Sequence, residues 1–342
     1  MKPVYILSAI VAAVALVASA MFGFELIEKY EDSGNAAESG ILHIDYIDVG
    51  QADATLIVCD GEAMLIDGGN VDDSDLIYTY LEKNGIEYLD YLVATHAHED
   101  HMGGLSGALN YADVGKIYCP VTENDTKYFS DFKRLAKQKG LKIEVPFAGE
   151  SFSLGSADVE VLACNTTDDE NNSSIVLKLT HGENKFLFMA DAEFEVEEYI
   201  IDKGFDIDAD VLKAGHHGSS TSTSNHFLYL ASPEYAVISC GKDNSYGHPH
   251  KEVTEKFAEM NLSVYRTDLL GDIYCTSDGK TISFKTEKKD KAMEYILNTN
   301  SKKFHTPDCE NTKNISAKNR KKFKGTLLEL SSDGYSPCGL CG

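Results

Sequence analysis

Residues 95–104 read THAHEDHMGG and follow directly on the apolar run Tyr88 to Ala94. His96, His98, Asp100 and His101 fall within six consecutive positions of this stretch. Three imidazoles and a carboxylate in a polar loop at a strand end form a nitrogen-and-oxygen donor set suited to zinc or another borderline divalent ion. Extended backbone sends alternate residues to one side, so His96 and His98 point the same way. Asp100 and His101 come round as the chain turns, which provides for one ion beside each pair. Gly103 and Gly104 are expected to let the backbone pass close to the ions before a helix begins. A solvated His-rich turn would leave this clustering of ligands without a purpose.

The chain around the loop has 342 residues, enough for one large core and a small accessory unit. Its net charge of −24 is unevenly placed. From Glu287 onward eleven Lys and Arg stand against seven Asp and Glu, so the residues before carry −28. An acidic body of this kind repels polyanions and argues against broad, nonspecific nucleic-acid binding by its surface. It leaves open a locally cationic, metal-loaded cleft.

Lys2 precedes the apolar run Val4 to Val17, and Ala18-Ser19-Ala20 has the small-x-small pattern of a cleavage site. Residues 1–20 are therefore expected to form a signal peptide, making the protein secreted and extracellular. Apolar character continues to Phe24, so the alternative is an uncleaved signal anchor holding the protein on the outer membrane face. Residues 21–40 read as a linker, acidic and unpatterned from Glu25. Cys59, Cys119, Cys164, Cys240 and Cys275 are scattered through the body without a disulfide framework, and most are expected to be buried free thiols.

Between residues 41 and 286, short apolar runs alternate with helical patterns. ILHIDYIDV, ATLIVC and AMLID read as three strands. SDLIYTYLEKNG reads as a helix capped by Ser74, striped by Leu76, Ile77, Tyr80 and Leu81, and ended at Gly85. Further strands are expected at 158–163, 174–180, 185–190, 209–213, 235–239 and 273–284, and helices near 129–139, 193–202 and 251–260. The alternation suits an α/β fold of two packed sheets covered by helices.

Other candidate ligands fall at strand ends. KFLFMADAE delivers Asp191 after a continuous apolar run, with Glu193 read as a helix-start carboxylate. ADVLKAGHHGSS delivers His216 as a ligand and His217 beside it. NSYGHPH contributes His248, as a ligand or a binder of anionic substrate, and His250, expected to be exposed.

The ordered set IDVGQADATLI, LIDGG, THAHEDHMGG, NNSSIVLKL, FLFMADAE, VLKAGHHGSSTSTS and SYGHPH resembles the metallo-β-lactamase superfamily. The HHGS and GHP elements narrow the resemblance to the ComEC-like branch of DNA-uptake competence proteins. It spans nearly all of 41–286 and implies an αββα sandwich with its metal site at one edge of the sheets. It further implies His96 and His98 on a first ion, Asp100 and His101 on a second, Asp191 bridging them, and His216 or His248 completing the second site. Many superfamily members complete the first site with a separate histidine, whereas the corresponding region here reads DDENNSSIVL. One firm and one weaker ion are therefore compatible with the sequence. Asn171, Asn172 and Ser174 are candidates for positioning substrate or water. Asp53 and Asp67 are candidates for orienting ligand histidines from behind, and His217 is a candidate in the same outer role.

Two divalent ions about 3.5–4 Å apart hold a hydroxide near neutral pH and clamp a developing oxyanion. Asp100 or Asp191 would orient the hydroxide, and His248 would stabilise a phosphoryl or acyl oxygen. Zinc or manganese would serve in one or both sites.

Residues 294–342 carry their own motif. His305 and Cys309 lie four apart, and Cys338 and Cys341 form a CxxC, together a closed tetrahedral set for structural zinc. With little core of its own, such a unit is expected to draw much of its folding free energy from the metal. A Cys338–Cys341 disulfide is the alternative. NTNSKKFHTPDC, KNRKKF and GYSPCGLC resemble the metal-binding domain of the Ada DNA-repair family, with His305 standing where that family has a methyl-accepting cysteine. Alkyl transfer is thereby disfavoured, while zinc and DNA binding remain. Lys302, Lys303, Lys318, Arg320, Lys321, Lys322 and Lys324, with Phe304 and Phe323 between them, are candidates to meet phosphates and bases.

The leading expectation is an exported metal-dependent phosphodiesterase or nuclease acting on DNA, with the tail holding nucleic acid nearby. The alternative is an exported hydrolase of a small or cell-wall-linked ester, phosphorylcholine-esterase-like or lactamase-like, with the tail as an interaction module.

Overall fold

The computed structural model describes residues 40–167 and 169–341. The expected signal segment and nearly all of the expected linker lie outside the described residues. No helix among the described residues is long and apolar enough to cross a membrane.

Period-two alternation in the first strands builds the layers. In β1 (Leu42–Tyr46), Leu42, Ile44 and Tyr46 share one face. β2 (Thr55–Cys59) sends Ile57 and Cys59 to that face and Leu56 to the other, and β3 (Glu62–Ile66) divides Met64 and Ile66 from Ala63 and Leu65 in the same way. Strands apolar on both faces need cover on both. One face packs against Phe186 and Phe188 of a second sheet. The other is covered by the helices Ser74–Lys83, Leu105–Tyr111 and Lys127–Gln138 through Ile77, Leu81, Leu105, Phe129 and Phe132. A third cluster, including Leu187, Val196, Ile200, Phe227 and Phe257, joins the outer face of the second sheet to its own helices.

The first sheet has eight strands in the order β15 (Ile282–Thr286), β14 (Ile273–Ser277), β1, β2, β3, β4 (Tyr88–Val93), β5 (Asp113–Tyr118), β6 (Ile143–Glu144). The second has seven, in the order β13 (Ser263–Arg266), β12 (Tyr235–Ile238), β11 (Val211–Lys213), β10 (Asn184–Phe188), β9 (Val176–His181), β8 (Ala157–Ala163), β7 (Ser151–Leu154). This is the expected αββα sandwich. β10, β11 and β12 run parallel, so the segments after them emerge at one edge, where Asp191, the His216–His217 pair and the loop to His248 follow.

Several local expectations change. Residues 273–284 are a hairpin rather than one strand, because Asp278-Gly279 supplies a turn, with Gly279 at φ 84°. Ser74 does not cap its helix; Asp73 holds that position, and the Ser74 hydroxyl lies 2.8 Å from that of Ser106 on the neighbouring helix. Leu76 drops out of the buried stripe and is exposed. Gly103 and Gly104 serve a backbone crossing rather than approach to an ion. A Cβ at Gly104 would overlap the Gly68 carbonyl, and one at Gly103 would overlap the backbone of Val71 and Glu99.

The tail forms a four-stranded sheet in the order β18 (Arg320–Gly325), β16 (Met293–Asn298), β17 (Lys303–His305), β19 (Ser336–Pro337). Thr326 and Glu329 form a reciprocal capping box on the helix Leu327–Ser332. Tyr295, Leu297, Phe304, Leu330 and Tyr335 belong to the same apolar cluster as the residues between the two large sheets. Val264 N donates to Ser332 Oγ at 3.0 Å, and the buried Arg266 donates to Ser336 Oγ at 2.9 Å. Gly40–Gly342 is one compact unit. The tail thus packs on the body at β13, and its order does not depend on a metal alone.

Candidate metal centre and its cleft

Asp191 lies at the middle of the strand-end cluster, 2% exposed, three residues beyond β10. Its two oxygens face different pairs of histidines. Oδ1 is 3.2 Å from His101 Nε2 and 3.6 Å from His217 Nε2. Oδ2 is 3.5 Å from His216 Nε2 and 4.0 Å from His96 Nε2. His98 Nδ1 lies 3.0 Å from His96 Nε2, and Asp100 Oδ2 lies 3.3 Å from His217 Nε2. The adjacent histidines of the HHG segment reach opposite oxygens because both hold left-handed backbone, φ 48° at His216 and 53° at His217. Asp67 and Ala190, also in the site, share that conformation at φ 57° and 47°. Such strain on non-glycine residues gathers where a side chain must be aimed.

The far nitrogen of four of these five rings is held by an acceptor. His101 Nδ1 is 2.8 Å from Asp67 Oδ2, itself fixed by the Thr95 amide and hydroxyl. His98 Nε2 is 3.1 Å from Glu170 Oε2. His216 Nδ1 is 3.2 Å from Glu193 Oε1, which also accepts from the Thr221 hydroxyl. His217 Nδ1 is 3.1 Å from the Ser239 carbonyl and 3.9 Å from Asp53. A histidine that donates from one nitrogen presents the other as a bare lone pair, the tautomer a metal requires.

Without an ion the cluster keeps protons on His101 and His217 between the carboxylates, and a bound cation would displace them. Burial would push Asp191 up, but His101 and His217 hold it well below the ordinary carboxylate range. Burial would pull His101 down, but Asp191 and Asp67 hold it well above the ordinary imidazole value. Burial together with His101 pushes His96 well below its ordinary value, leaving a neutral ring. Asp53 is matched by Lys213, whose Nζ is 2.8 Å from Oδ1 and 2.9 Å from Oδ2 in a buried pair. Asp100 and Asp191 are both held below the ordinary carboxylate range and face the rings, whereas burial raises Asp67, so it is the first two that a bound cation would meet. Among the described residues, His101 Nε2, His217 Nε2 and Asp191 Oδ1 are buried and in mutual contact but find no well-aligned hydrogen-bond partner. Ligand atoms of Asp53, His101, Asp191 and His217 all lie within 4.8 Å of one another. The donor set fits a divalent ion.

The cluster opens into a cleft of about 380 Å³ lined by Gln51, His98, Glu99, Asp100, Tyr128, Asn171, Asp191, His216, His217, Tyr246 and His248. His248 sits 5.6 Å from the His216 ring and 6.2 Å from the His217 ring, on the cleft wall. Gln51 Oε1 accepts from the Gly241 amide, so its Nε2 faces His248 Nδ1 at 3.3 Å as a donor. His248 then carries its proton on Nε2, and burial with His217 pushes its pKa down to about 4. It is a neutral hydrogen-bond donor near pH 7.

The outer residues divide differently from the sequence reading. Ser174 Oγ accepts from the Asp191 amide at 3.3 Å, and Asn172 Oδ1 from the Glu193 amide at 3.0 Å, so both hold backbone rather than substrate. Asn171 does line the cleft. His217 faces Asp191 and Asp100 directly rather than from behind. Glu193 occupies the N-cap position of its helix, but its carboxylate turns to His216. His250 is half-buried rather than exposed, accepting from the Ser220 amide and donating to the Tyr246 carbonyl. Sequence reasoning passed over Glu170, Lys213 and Gln51. Lys213 had a signal: with Val211 it takes the inward-facing phase of β11, where a lysine needs a carboxylate.

In the tail, His305, Cys309, Cys338 and Cys341 place one ligand atom each within 4.8 Å of all the others. His305 Nδ1 is 3.6 Å from Cys309 Sγ and 4.0 Å from Cys341 Sγ. All eight cysteines are free, so the alternative Cys338–Cys341 disulfide is not formed. One nitrogen and three sulfurs, mostly buried, suit a closed structural site.

Layering and strand-end cluster together define a metal-dependent hydrolase fold. A model of the metallo-beta-lactamase superfamily matches residues 47–242, and the chain belongs to that superfamily. It is 30% identical over 250 residues to ComE operon protein 3 of Bacillus subtilis, covering 67% of this chain and 32% of that protein. It is 30% identical over 238 residues to Recombination protein 2 of Haemophilus influenzae, covering 67% and 28%. It is 32% identical over 228 residues to Competence protein ComA of Neisseria gonorrhoeae, covering 66% and 30%. The chain thus spans about a third of the length of these curated relatives.

Proposed function

We propose that this chain is an exported metal-dependent phosphodiesterase whose substrate class is DNA, with an Ada-like zinc module at its C-terminus that contacts the nucleic acid. The observation that carries the catalytic part is the division of histidines over the two oxygens of Asp191. His96, His98 and His216 would hold one ion with Oδ2, so that His216 supplies the nitrogen missing from DDENNSSIVL. Asp100, His101 and His217 would hold the other with Oδ1. Bound ions would supply Lewis acidity and a more acidic water, zinc or manganese both suiting the donors. Asp100 and Asp191 orient the water, and the neutral His248 donates from Nε2 to the oxygen that gains charge. Asp67, Glu170, Glu193 and Asp53 fix the rings.

Relationship to competence proteins supports DNA as the substrate class. A second hollow, of about 310 Å³, shares His248 with the cleft and joins body to tail; Lys303 lines it, but so do Asp243 and Asp268, the latter paired with Arg266, so it adds a surface beside the cleft and no net positive charge. The basic support for DNA is on the tail sheet, where Arg320, Lys322 and Lys324 lie beside Tyr295 and Phe323, with Glu294 as the one acid among the described residues there. The small-ester reading draws on a different observation: among the described residues no Lys or Arg lines the catalytic cleft itself.

The deciding experiment is turnover by the full chain reconstituted with zinc, manganese or magnesium. Plasmid, single-stranded DNA, bis(p-nitrophenyl) phosphate and nitrocefin are offered in parallel. Cleavage of DNA and of the phosphodiester is expected. Turnover of nitrocefin with no phosphodiester cleaved would overturn the proposal.

A further inference from the structure

We infer that Tyr246 forms a nucleobase-stacking subsite at the mouth of the catalytic cleft. The inference rests on the phosphodiesterase reading and adds to it a reason to prefer nucleotide esters over simple ones. Tyr246 is 67% exposed and lines the same cleft as Asp100, Asp191 and His217. Its ring lies nearly parallel to His248, 21° apart with centroids at 5.6 Å, and His248 lies nearly parallel to the buried His217, 25° apart at 6.2 Å. A ladder of flat rings thus runs from the metal cluster to solvent, with tyrosine outermost.

The tyrosine is held by its loop. Asn244 Oδ1 accepts from His248 N at 2.9 Å, while its amide donates to the carbonyls of His248 and Gly241 at 2.6 and 2.8 Å. His250 reaches back to the Tyr246 carbonyl at 3.2 Å and is anchored on Ser220 at 2.9 Å. A loop backbone fixed before binding leaves only the tyrosine side chain to be ordered when a base lies on it. The charge of the cleft makes such a face useful. Glu99 and Asp100 line it with no Lys or Arg among the described residues, so affinity for an anionic ester beyond what ions provide has to come from uncharged contact. Base–aromatic stacking supplies this for any base, and because neither face is charged, screening by salt acts on the phosphate and not on the stack.

The test compares thymidine p-nitrophenyl phosphate, joined at the 5′ or 3′ oxygen, with methyl p-nitrophenyl phosphate, on the metal-reconstituted full chain. The readout is the ratio of kcat/KM for the thymidine ester to that for the methyl ester, within each preparation, so partial loss of folded protein cancels. The expected result is a ratio well above one that falls about tenfold in Tyr246→Ala, the scale of one stack. Tyr246→Phe is expected to keep it, at low and high salt alike. An unchanged ratio in Tyr246→Ala, or a Phe variant that behaves as Ala does, would overturn the subsite. Wild-type protein that turns over neither diester would overturn the phosphodiesterase reading and the subsite with it.

Discussion

Among the described residues, two His-bearing clusters are of opposite design. In the body, nitrogen and carboxylate donors surround Asp191 and open to a cleft, and the far sides of His98, His101 and His216 are braced by carboxylates. In the tail, one nitrogen and three sulfurs close on themselves beside β17 and β19, and Asn311 donates to Cys338 Sγ at 3.3 Å. Hard, open donor sets suit ions that exchange ligands with substrate, and soft, closed sets suit ions that stay. One cluster is built for reaction and the other for position.

The strongest way to break this contrast is to disable each side in turn. Asp191→Asn should lower kcat/KM for a phosphodiester by on the order of 10³-fold, since it removes the group shared by both halves of the site. Cys338→Ser should leave turnover within about twofold while releasing the tail ion and lowering the thermal midpoint. Comparable losses of turnover in both would mean that the tail cluster belongs to the reaction. Removing one member of the buried Asp53–Lys213 pair comes next in size. Lys213→Met should cost about 3–5 kcal/mol in denaturant unfolding, because it strands a buried carboxylate behind His217. A loss below about 1 kcal/mol would show the pair to be solvated.

A smaller effect is expected from the bracing groups. Asp67→Asn should weaken metal binding about 10- to 100-fold in a competition titration, as outer partners of metal-bound histidines typically do. Unchanged affinity would deny that the Asp67–His101 contact sets the tautomer. Smallest of all, Lys322→Gln together with Lys324→Gln should weaken single-stranded DNA binding severalfold and flatten its salt dependence by about 1.4 units of slope, about 0.7 for each contact. An unaltered slope would leave the basic strand as a solvated face.

Much of the body was legible because its signals are local. THAHEDHMGG, the apolar run ending at Asp191 and the HHG segment each announce a donor at a strand end. The division of His216 and His217 was not legible, since spacing says nothing of two successive left-handed residues. Glu170 was missed because its partner His98 lies 72 positions earlier, and an exposed acid in an acidic chain carries no mark. The tail's motif was readable, but its attachment was not: Leu330 and Tyr335 look like the thin core of a separate unit until β13 is seen beneath them. For that reason point substitutions probe the tail better than its deletion, which would uncover the body's edge at Val264 and Arg266.

The most direct measurement strips the full chain of metal and restores manganese or zinc stepwise, recording phosphodiester turnover and bound metal together in wild type and in Cys338→Ser. The division of labour predicts that turnover rises with ions filling the Asp191 cluster and follows the same course in both proteins. Turnover that appears only as the tail cluster fills, and is lost in Cys338→Ser, would contradict it.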